Sequence, residues 1–349
     1  MEPDAPLISD VKTSGSRLWF WRALVWFLLL SVGALLSLMW WWDVEPEPYD
    51  VVAAVQAGSR NRGERVVVGS VTSDALAQVA RSMLDKRGGY LSNDVLPPGA
   101  FMDNVPNWEF GVLEQCRDLA RALRNNFSRS QSQSVEDKDL QEADPLFSFT
   151  NDRWMFPRSE GEYADAIRHI ERYRTRLQDD DSADAQFFAR ADNLADYLAL
   201  VESRLGSLSQ RLSASVGQSR ITTNIPIQGQ TTQGKPAPAN PAAKQQLLGT
   251  PFAEIDDAFY QARGSAFALA QFLKAIDHDF AKVLEDKNAR DSLRQIIREL
   301  EDAQRPVHSP MILNGSPFGF FANHSLVMAN YISRANAAVI ELRARLARG

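Results

Sequence analysis

Carboxylate and aromatic side chains that could act on a glycan concentrate between residues 88 and 111. Asp94, Asp103 and Glu109 lie there beside Trp108. A glycan-cleaving site needs a protonated carboxyl group, a second carboxylate as base or nucleophile, and an aromatic face for the sugar ring. The stretch therefore supplies candidate ligand-binding residues, which are Asp94, Asp103, Asn104, Asn107, Trp108 and Glu109.

A structural role fits the same residues and is the favoured interpretation. Asp and Asn in loops rich in Gly and Pro commonly serve turns and helix caps. Asn107 is placed to cap a helix that starts near Glu109. The segment also holds several large aromatic side chains, which indicates an ordered loop that packs on the domain.

No other pattern in the sequence indicates catalysis. There is no HExxH, no GxxxxGK[ST], no GxSxG and no paired CxxC. The histidines, which are His169, His278, His308 and His324, are widely separated. We therefore predict no catalytic residues, no metal site and no cofactor, and we expect the protein not to be an enzyme.

The apolar run from Trp19 to Trp42 predicts a transmembrane helix. No charged residue lies between Ala23 and Trp42, which is about the 20 residues that cross roughly 30 Å of hydrocarbon. A cleaved signal peptide would have an apolar region of only about 7–15 residues and a small-residue cleavage site. The run ends instead in three tryptophans and Asp43, so an uncleaved single-pass anchor is predicted.

Charges on the two sides of this run predict its orientation. Basic flanks stay in the cytoplasm. The flanking charges are Lys12, Arg17 and Arg22 before the run, and Asp43, Glu45, Glu47 and Asp50 after it. Residues 1–18 are thus expected to form a short cytoplasmic tail, with the rest of the chain beyond the membrane.

Two long heptad seams dominate the soluble part. Their apolar residues alternate at spacings of three and four, the signature of a helix packed along one stripe. The first seam is Phe187, Ala191, Leu194, Leu198, Val201, Leu205, Leu208 and Leu212, and the second is Phe252, Ile255, Phe259, Ala262, Ala266, Leu269, Leu273, Ile276, Phe280 and Val283. We predict an antiparallel pair within the chain, with an intermolecular coiled coil as the alternative.

The predicted fold is all-α: one transmembrane helix and a helical bundle with aromatic Gly/Pro/Asn loops. Residues 43–72 are expected to be a spacer, because Glu45-Pro46-Glu47-Pro48 disfavours a helix, with a strand or a helix start at 65–69. A first helical part is predicted at 73–218, with Ser73 as a helix cap, a helix at 109–125 and a capping box at Ser159. A disordered linker (219–249) and a second helical part (250–349) follow, with Thr250 and Pro251 at a helix start and helices at 288–303 and 324–347.

Three segments are long enough to be specific motifs: Gly-Gly-Tyr-Leu-Ser-Asn-Asp from Gly88, Pro-Asn-Trp-Glu-Phe-Gly-Val-Leu at 106–113, and Asn-Phe-Ser-Arg-Ser-Gln-Ser-Gln-Ser ending at Ser134. They resemble an uncharacterised bacterial family, the domain of unknown function 2333. The resemblance runs from the anchor to the C-terminus. It implies a bacterial inner membrane, with the large C-terminal part in the periplasm, and it implies no particular activity.

Composition narrows the partners. The formal net charge of −6 disfavours nucleic acid, which needs a basic field. The single cysteine, Cys116, excludes an intramolecular disulfide and is expected to be a small buried side chain.

The expected partners are the lipid bilayer and either an envelope protein or a second copy bound through the heptad helices. The leading function is therefore a non-enzymatic interaction or scaffold module of the envelope. The alternative is a peptidoglycan hydrolase or glycan-binding protein that uses Asp94, Asp103, Glu109 and Trp108.

Overall fold

The computed structural model describes residues 14–130, 135–179, 184–215, 254–309, 311–315 and 320–348. Across these residues the protein is helical, and its β pairing is limited to an isolated bridge between Asn314 and Asn323. The all-α prediction is confirmed. The predicted linker at 219–249, the cap at Thr250 and most of the predicted tail lie outside the described residues.

The described residues form eleven α-helices in chain order. Their bounds are α1 Ser14–Trp42, α2 Val51–Arg62, α3 Ser70–Asp85, α4 Asn104–Ala122, α5 Lys138–Phe147, α6 Ser159–Gln178, α7 Ala191–Ser215, α8 Ile255–Asp279, α9 Ala281–Asp286, α10 Arg290–Asp302 and α11 His324–Ala347. A π-helical turn, Leu123–Phe127, extends α4, and a 3₁₀ turn, Gly99–Phe101, precedes it.

Helix α1 contains the apolar segment and stands apart from the bundle. Its span Trp19–Trp42 has a mean hydropathy of 2.2, and none of the scored window is buried against the rest of the chain. At about 1.5 Å per residue, the helix is long and apolar enough to cross a bilayer. Its side chains have the exposed apolar surface that a lipid-facing helix requires.

Helices α4 and α8 form the centre of the bundle and run parallel. Asn107 contacts Asp257 near their N-termini, and Phe127 stacks on Phe280 near the other end, with ring centroids 5.2 Å apart. The backbones approach closely where a Cβ on Gly264 would lie 2.0 Å from the carbonyl oxygen of Trp108. Only glycine fits this crossing, so the sequence determines which helix faces meet.

Helix α7 packs mainly against α11, and the two run antiparallel. Glu202 pairs with Arg343, and the hydroxyl groups of Ser209 and Ser333 are 2.5 Å apart. The seam residues of α7 from Leu194 to Leu212 are buried by this packing. The seam therefore faces the interior of the chain, and self-association through the heptad helices stays a prediction.

The second seam is also buried from Ile255 to Phe280, mainly against α4. Its first residue, Phe252, lies outside the described residues. Helices α7 and α8 do lie antiparallel, as predicted, with Arg211 of α7 hydrogen-bonded to Gln261 of α8. Each nevertheless has its larger interface with another helix. A heptad pattern specifies which stripe is buried, and it does not specify the partner.

Helix α3 begins earlier than predicted because a distant carboxylate caps it. Asp279, at the end of α8, accepts hydrogen bonds from the backbone N–H and the hydroxyl group of Thr72, both at 2.8 Å. The helix consequently starts at Ser70, and Ser73, the predicted cap, lies inside it. Residues 64–67 have no helical or strand assignment, and the chain turns at Val68 and Gly69.

The segment expected to be a spacer is largely part of the domain. Asp50 caps α2 by accepting a hydrogen bond from the backbone N–H of Ala53 at 3.0 Å. Val51 and Val55 of this helix are buried in the core. The prolines at 46 and 48 therefore lie in the short connection between α1 and α2, and the domain begins directly after them.

The predicted capping box at the start of α6 does not form in the expected way. Ser159 is the first helical residue, and Arg158 occupies the cap position. The Ser159 hydroxyl instead donates to the carbonyl oxygen of Thr150 at 2.7 Å and accepts from the backbone N–H of Arg153 at 3.0 Å. It ties the preceding loop to the helix.

Candidate functional site

Glu109 is buried and holds the preceding loop in place. Its carboxylate accepts hydrogen bonds from the backbone N–H groups of Leu91 and Ser92, both at 2.8 Å, and from the Ser92 hydroxyl at 2.5 Å. It also pairs with the Lys86 ammonium, whose side chain is 2% exposed. Burial raises the pKa of Glu109, while Lys86 and these donors oppose the shift. The carboxylate is occupied and closed to a ligand.

Trp108 is likewise a core residue. Its side chain is fully buried and its ring packs on Phe267, with centroids 5.3 Å apart. The indole Nε1 has no hydrogen-bond partner among the described residues. Both faces of the ring lie inside the protein, so Trp108 does not provide the sugar platform that the sequence suggested.

Asp103, Asn104 and Asn107 shape the N-terminus of α4. The Asp103 carboxylate accepts from the backbone N–H of Asn104 at 2.9 Å, which makes Asp103 the cap in place of the predicted Asn107. The Asn107 amide donates to the backbone oxygen of Asp103 at 3.0 Å and to the Asp257 carboxylate at 2.7 Å. It thus joins α4 to the first turn of α8.

Asp94 lies at the surface of the loop before α4. A Cβ on Gly99 would lie 2.1 Å from its carboxylate, so the loop closes tightly around it. Partial burial raises the pKa of Asp94, the nearby Glu160 raises it further, and Lys86 opposes the shift. The neighbouring Asn93 donates to Glu160 and, at 3.1 Å, to the carbonyl oxygen of Arg153.

The six candidate residues therefore occupy three environments. Trp108 and Glu109 point into the core. Asp103, Asn104 and Asn107 lie at the N-terminus of α4, and Asp94 sits in the loop beside Glu160. Of these residues, Asp103 and Asn104 lie near Asp43, which directly follows α1.

The junction between α1 and the bundle is a partly buried ion pair. The Arg263 guanidinium of α8 donates to both carboxylate oxygens of Glu45, with Nε to Oε1 at 2.9 Å and Nη2 to Oε2 at 2.7 Å. Arg263 also donates to the carbonyl oxygen of Arg305 at 3.0 Å, and its own carbonyl oxygen accepts from the Gln304 amide at 3.0 Å. Bidentate pairing of this kind fixes orientation as well as distance.

The last residues of α1 also contact the bundle. A Cβ on Gly88, whose φ is 84°, would lie 2.8 Å from the indole ring of Trp42. The Arg87 guanidinium lies over the Trp41 ring, 4.3 Å from its centroid. These contacts place the Gly88–Asn93 loop directly against the end of the apolar helix.

Carboxyl groups gather at this junction. Burial is the main cause that raises the pKa of Asp43, with Glu45 and Asp103 adding to it and a hydrogen bond from Asn104 opposing it. Burial also raises the pKa values of Asp256 and Asp257, and Asp103 contributes to both. The negative charges therefore oppose one another at this junction.

Sequence reasoning missed the role of Arg263 and its partner. One available signal was an arginine within the otherwise apolar run of α8, since a cation there must find a partner. Glu45 had been interpreted as part of an acidic spacer. Its partner lies 218 residues away in the chain, which no local pattern reveals.

Cys116 and the histidines do not form a metal site. In the part of the chain that the structure describes, no cluster of three or more His, Cys, Asp or Glu side chains could hold a metal ion. Cys116 is buried in α4, and burial raises the pKa of its thiol.

Comparison with known proteins gives one match. A family model described as an uncharacterized protein conserved in bacteria, DUF2333, matches residues 13–349. No curated protein and no solved structure matches the chain.

Proposed function

We propose that this chain, which belongs to the bacterial family DUF2333, is a membrane-anchored interaction module of the cell envelope rather than an enzyme. The observation that carries the proposal is the partly buried ion pair between Glu45 and Arg263. Glu45 lies three residues beyond the apolar span, so the span and the bundle act as one unit. A bundle held this closely is suited to work at the membrane surface.

The charges around the span support an orientation with the bundle in the periplasm. Arg17 and Arg22 lie on the N-terminal side, whereas Asp43, Glu45 and Glu47 follow the span. Basic residues are retained in the cytoplasm. The anchor is therefore a single pass through the inner membrane with the N-terminus inside.

The environments of the candidate residues support interaction over catalysis. The Glu109 carboxylate already has four donors, counting the Lys86 ammonium. A general base needs a free lone pair within reach of its proton donor. Trp108 offers no face to a substrate, so these two residues serve the fold.

Cysteine labelling in intact spheroplasts tests the topology. Val68→Cys places a thiol on an exposed position of the bundle, and Ser9→Cys places one in the tail. A membrane-impermeant maleimide should label the first variant in intact spheroplasts and the second only after lysis. The wild type, whose only cysteine is buried, is the background control. The reverse labelling pattern would contradict the proposed orientation.

Crosslinking tests the interaction itself. Intact cells that express the full chain are treated with a lysine-reactive crosslinker, and the products are identified by mass spectrometry. Specific crosslinks to an envelope protein, absent with an unrelated single-pass control protein, would support the module. Recovery of the chain with no crosslinked partner would contradict it.

The second candidate function is action on a glycan, and the position of the Asp94 carboxyl group favours it. Its carboxyl group is at the surface and its pKa is raised, which suits a proton donor. Asp94→Asn and Asp103→Asn should abolish muropeptide release if the site is catalytic. Unchanged release in both variants would remove this candidate.

A further inference from the structure

The bundle exposes large apolar side chains in three loops. Beyond the span, every exposed aromatic side chain in the described residues belongs to one of them. The first loop (88–103) contains Leu96 and Phe101, and the second (148–158) contains Trp154 and Phe156. The third, of which the structure describes 303–309, 311–315 and 320–323, contains Phe320 and Phe321. Phe156 is 87% exposed, although it is among the side chains that gain most from leaving water.

The first loop lies at the end of the bundle where α1 enters. The Trp42 ring covers Gly88 at the start of this loop. At its other end, the Asn104 side chain hydrogen-bonds the Asp43 carboxylate. Leu96 and Phe101 are therefore carried by a loop whose two ends both touch the exit of the span.

The second loop is attached to the first. The Tyr90 hydroxyl donates to the carbonyl oxygen of Asn151 at 3.0 Å, and the Asn93 amide donates to that of Arg153 at 3.1 Å. Trp154 and Phe156 follow directly in the chain. The Arg158 guanidinium lies 5.7 Å from the centroid of the Phe156 ring, so a cation accompanies the exposed aromatic side chain.

The third loop meets the same junction from the other side. Arg263, which binds Glu45, also donates to the backbone oxygen of Arg305. His324, just after the loop, packs edge-on against Phe259, with ring centroids 6.4 Å apart. All three loops thus connect to the junction at the end of α1: the first through Trp42, the second through the first loop, and the third through Arg263.

We propose that these loops dock into the headgroup region of the bilayer that α1 spans, so that the bundle rests on the lipid surface. We call this surface the membrane-facing loops: residues 88–103, 148–158, 303–309, 311–315 and 320–323. The proposal rests on the membrane anchoring proposed above. The docking adds a second contact with lipid, in which the headgroup region covers the exposed apolar side chains.

The distance from the span supports lipid as the occupant. Glu45 lies three residues after Trp42, so the chain between them reaches about 10 Å at most. The interfacial layer is roughly 5–8 Å thick on each side of the hydrocarbon. A bundle bound at Glu45 is therefore held within reach of this layer. Trp and Phe rings are favoured there, because their apolar faces leave water.

Depth-dependent fluorescence quenching tests the docking in the full chain. Leu96→Cys, Phe156→Cys and Phe320→Cys each carry an environment-sensitive NBD label. Val68→Cys is the matched control, since Val68 is also an exposed apolar residue but lies next to the start of α3, where Thr72 binds Asp279 at the far end of α8. Cys116 is buried and its thiol pKa is raised, so the unsubstituted chain reports background labelling.

The labelled proteins are reconstituted in vesicles of phosphatidylethanolamine and phosphatidylglycerol, with or without lipid spin-labelled near the headgroup. We expect the three loop labels to be quenched at least twofold more strongly than the Val68 label. Equal quenching at all positions would overturn the proposal. Loop labels that are shielded from aqueous iodide but not quenched by lipid would also overturn it, since a protein would then cover the surface.

The two proposals fail in different ways. If the chain does not float with the vesicles at all, the membrane anchoring is wrong, and the docking falls with it. If it floats and the loop labels are no more quenched than the control, the anchoring stands and only the docking is wrong.

Discussion

At the scale of residues, the buried ion pair between Glu109 and Lys86 stabilises the loop before α4. Glu109→Gln keeps an oxygen that can accept from Leu91 and Ser92, but it leaves the Lys86 ammonium buried without its counter-charge. Breaking a buried pair by removing one partner costs about 3–5 kcal/mol. We expect a correspondingly lower midpoint when the full chain is unfolded by urea in detergent and followed by circular dichroism.

A double variant distinguishes the effect of an unpaired Lys86 charge from the effect of losing the other hydrogen bonds of the Glu109 carboxylate. Lys86→Met with Glu109→Gln removes both charges, so no uncompensated ion remains in the core. The double variant should be more stable than Glu109→Gln alone. If the two variants unfold at the same midpoint, the ammonium is not what destabilises the single variant.

His278 should make stability depend on pH. A hydrogen bond with Asp279 is the main cause that raises the pKa of His278, Asp277 adds to it, and partial burial and Arg290 oppose it. A raised pKa in the folded state means that the stabilisation is complete below about pH 6.5, the unfolded value. It is lost as the pH rises through the folded pKa.

Thermal melting of wild type and His278→Gln across this range measures the effect. The melting temperature of the wild type should fall between about pH 6 and pH 8.5, where ordinary carboxyl groups no longer titrate. The variant should show a smaller decline. An identical decline in both proteins would assign the pH dependence to another group.

At the scale of elements, the crossing of α4 and α8 depends on glycine. A Cβ at Gly264 would overlap the backbone of Trp108 at 2.0 Å, and neither backbone can yield without separating the helices. Overpacking of this kind costs about 1–3 kcal/mol or more. Gly264→Ala should lower the urea midpoint of the full chain accordingly.

Gly161→Ala is the matched control for that change. Gly161 lies in the first turn of α6, and a Cβ there meets no atom within 4 Å. Alanine in a helix is favoured over glycine by roughly 0.5–1 kcal/mol. The control should therefore leave stability unchanged or raise it slightly. A loss in Gly161→Ala equal to that in Gly264→Ala would show that helix packing is not the cause.

The sequence predicted helices well where local signals act alone. Helix α11 was predicted at 324–347 and is found there, because its apolar period follows a cap from Asn323. The starts of α3 and α4 were wrong, since Asp279 and Asp103 supply bonds at positions that the apolar pattern does not reveal. The seams were recognised, but the partners of α7 and α8 depend on contacts between distant segments.

The candidate site was less predictable for the same physical reason. The local sequence around an acidic residue and a neighbouring tryptophan is the same whether their side chains face a ligand or the core. In the core, Glu109 pairs with Lys86 and Trp108 packs on Phe267. Neither of these two partners belongs to the candidate set. The junction at Arg263 could be suspected only from a charge in an apolar run.

At the scale of the whole molecule, Arg263 connects the apolar span to the bundle. Arg263→Met removes the guanidinium that binds Glu45 and three backbone carbonyl groups. The segment after Trp42 should then move relative to the bundle. Arg305→Met is the matched control, because its exposed side chain pairs with Asp302 and makes no contact with Glu45.

Spin labels at Leu38→Cys in α1 and Val68→Cys in the bundle measure this coupling by double electron–electron resonance in nanodiscs. Wild type and Arg305→Met should give one narrow distance distribution, because the Glu45 pair and the Trp42 contact hold α1 at a fixed angle. Arg263→Met should give a broader one, while its helical circular dichroism stays the same. A distribution as narrow as that of the control would mean that the contacts of Trp41 and Trp42 with the 87–88 segment hold the span without the ion pair.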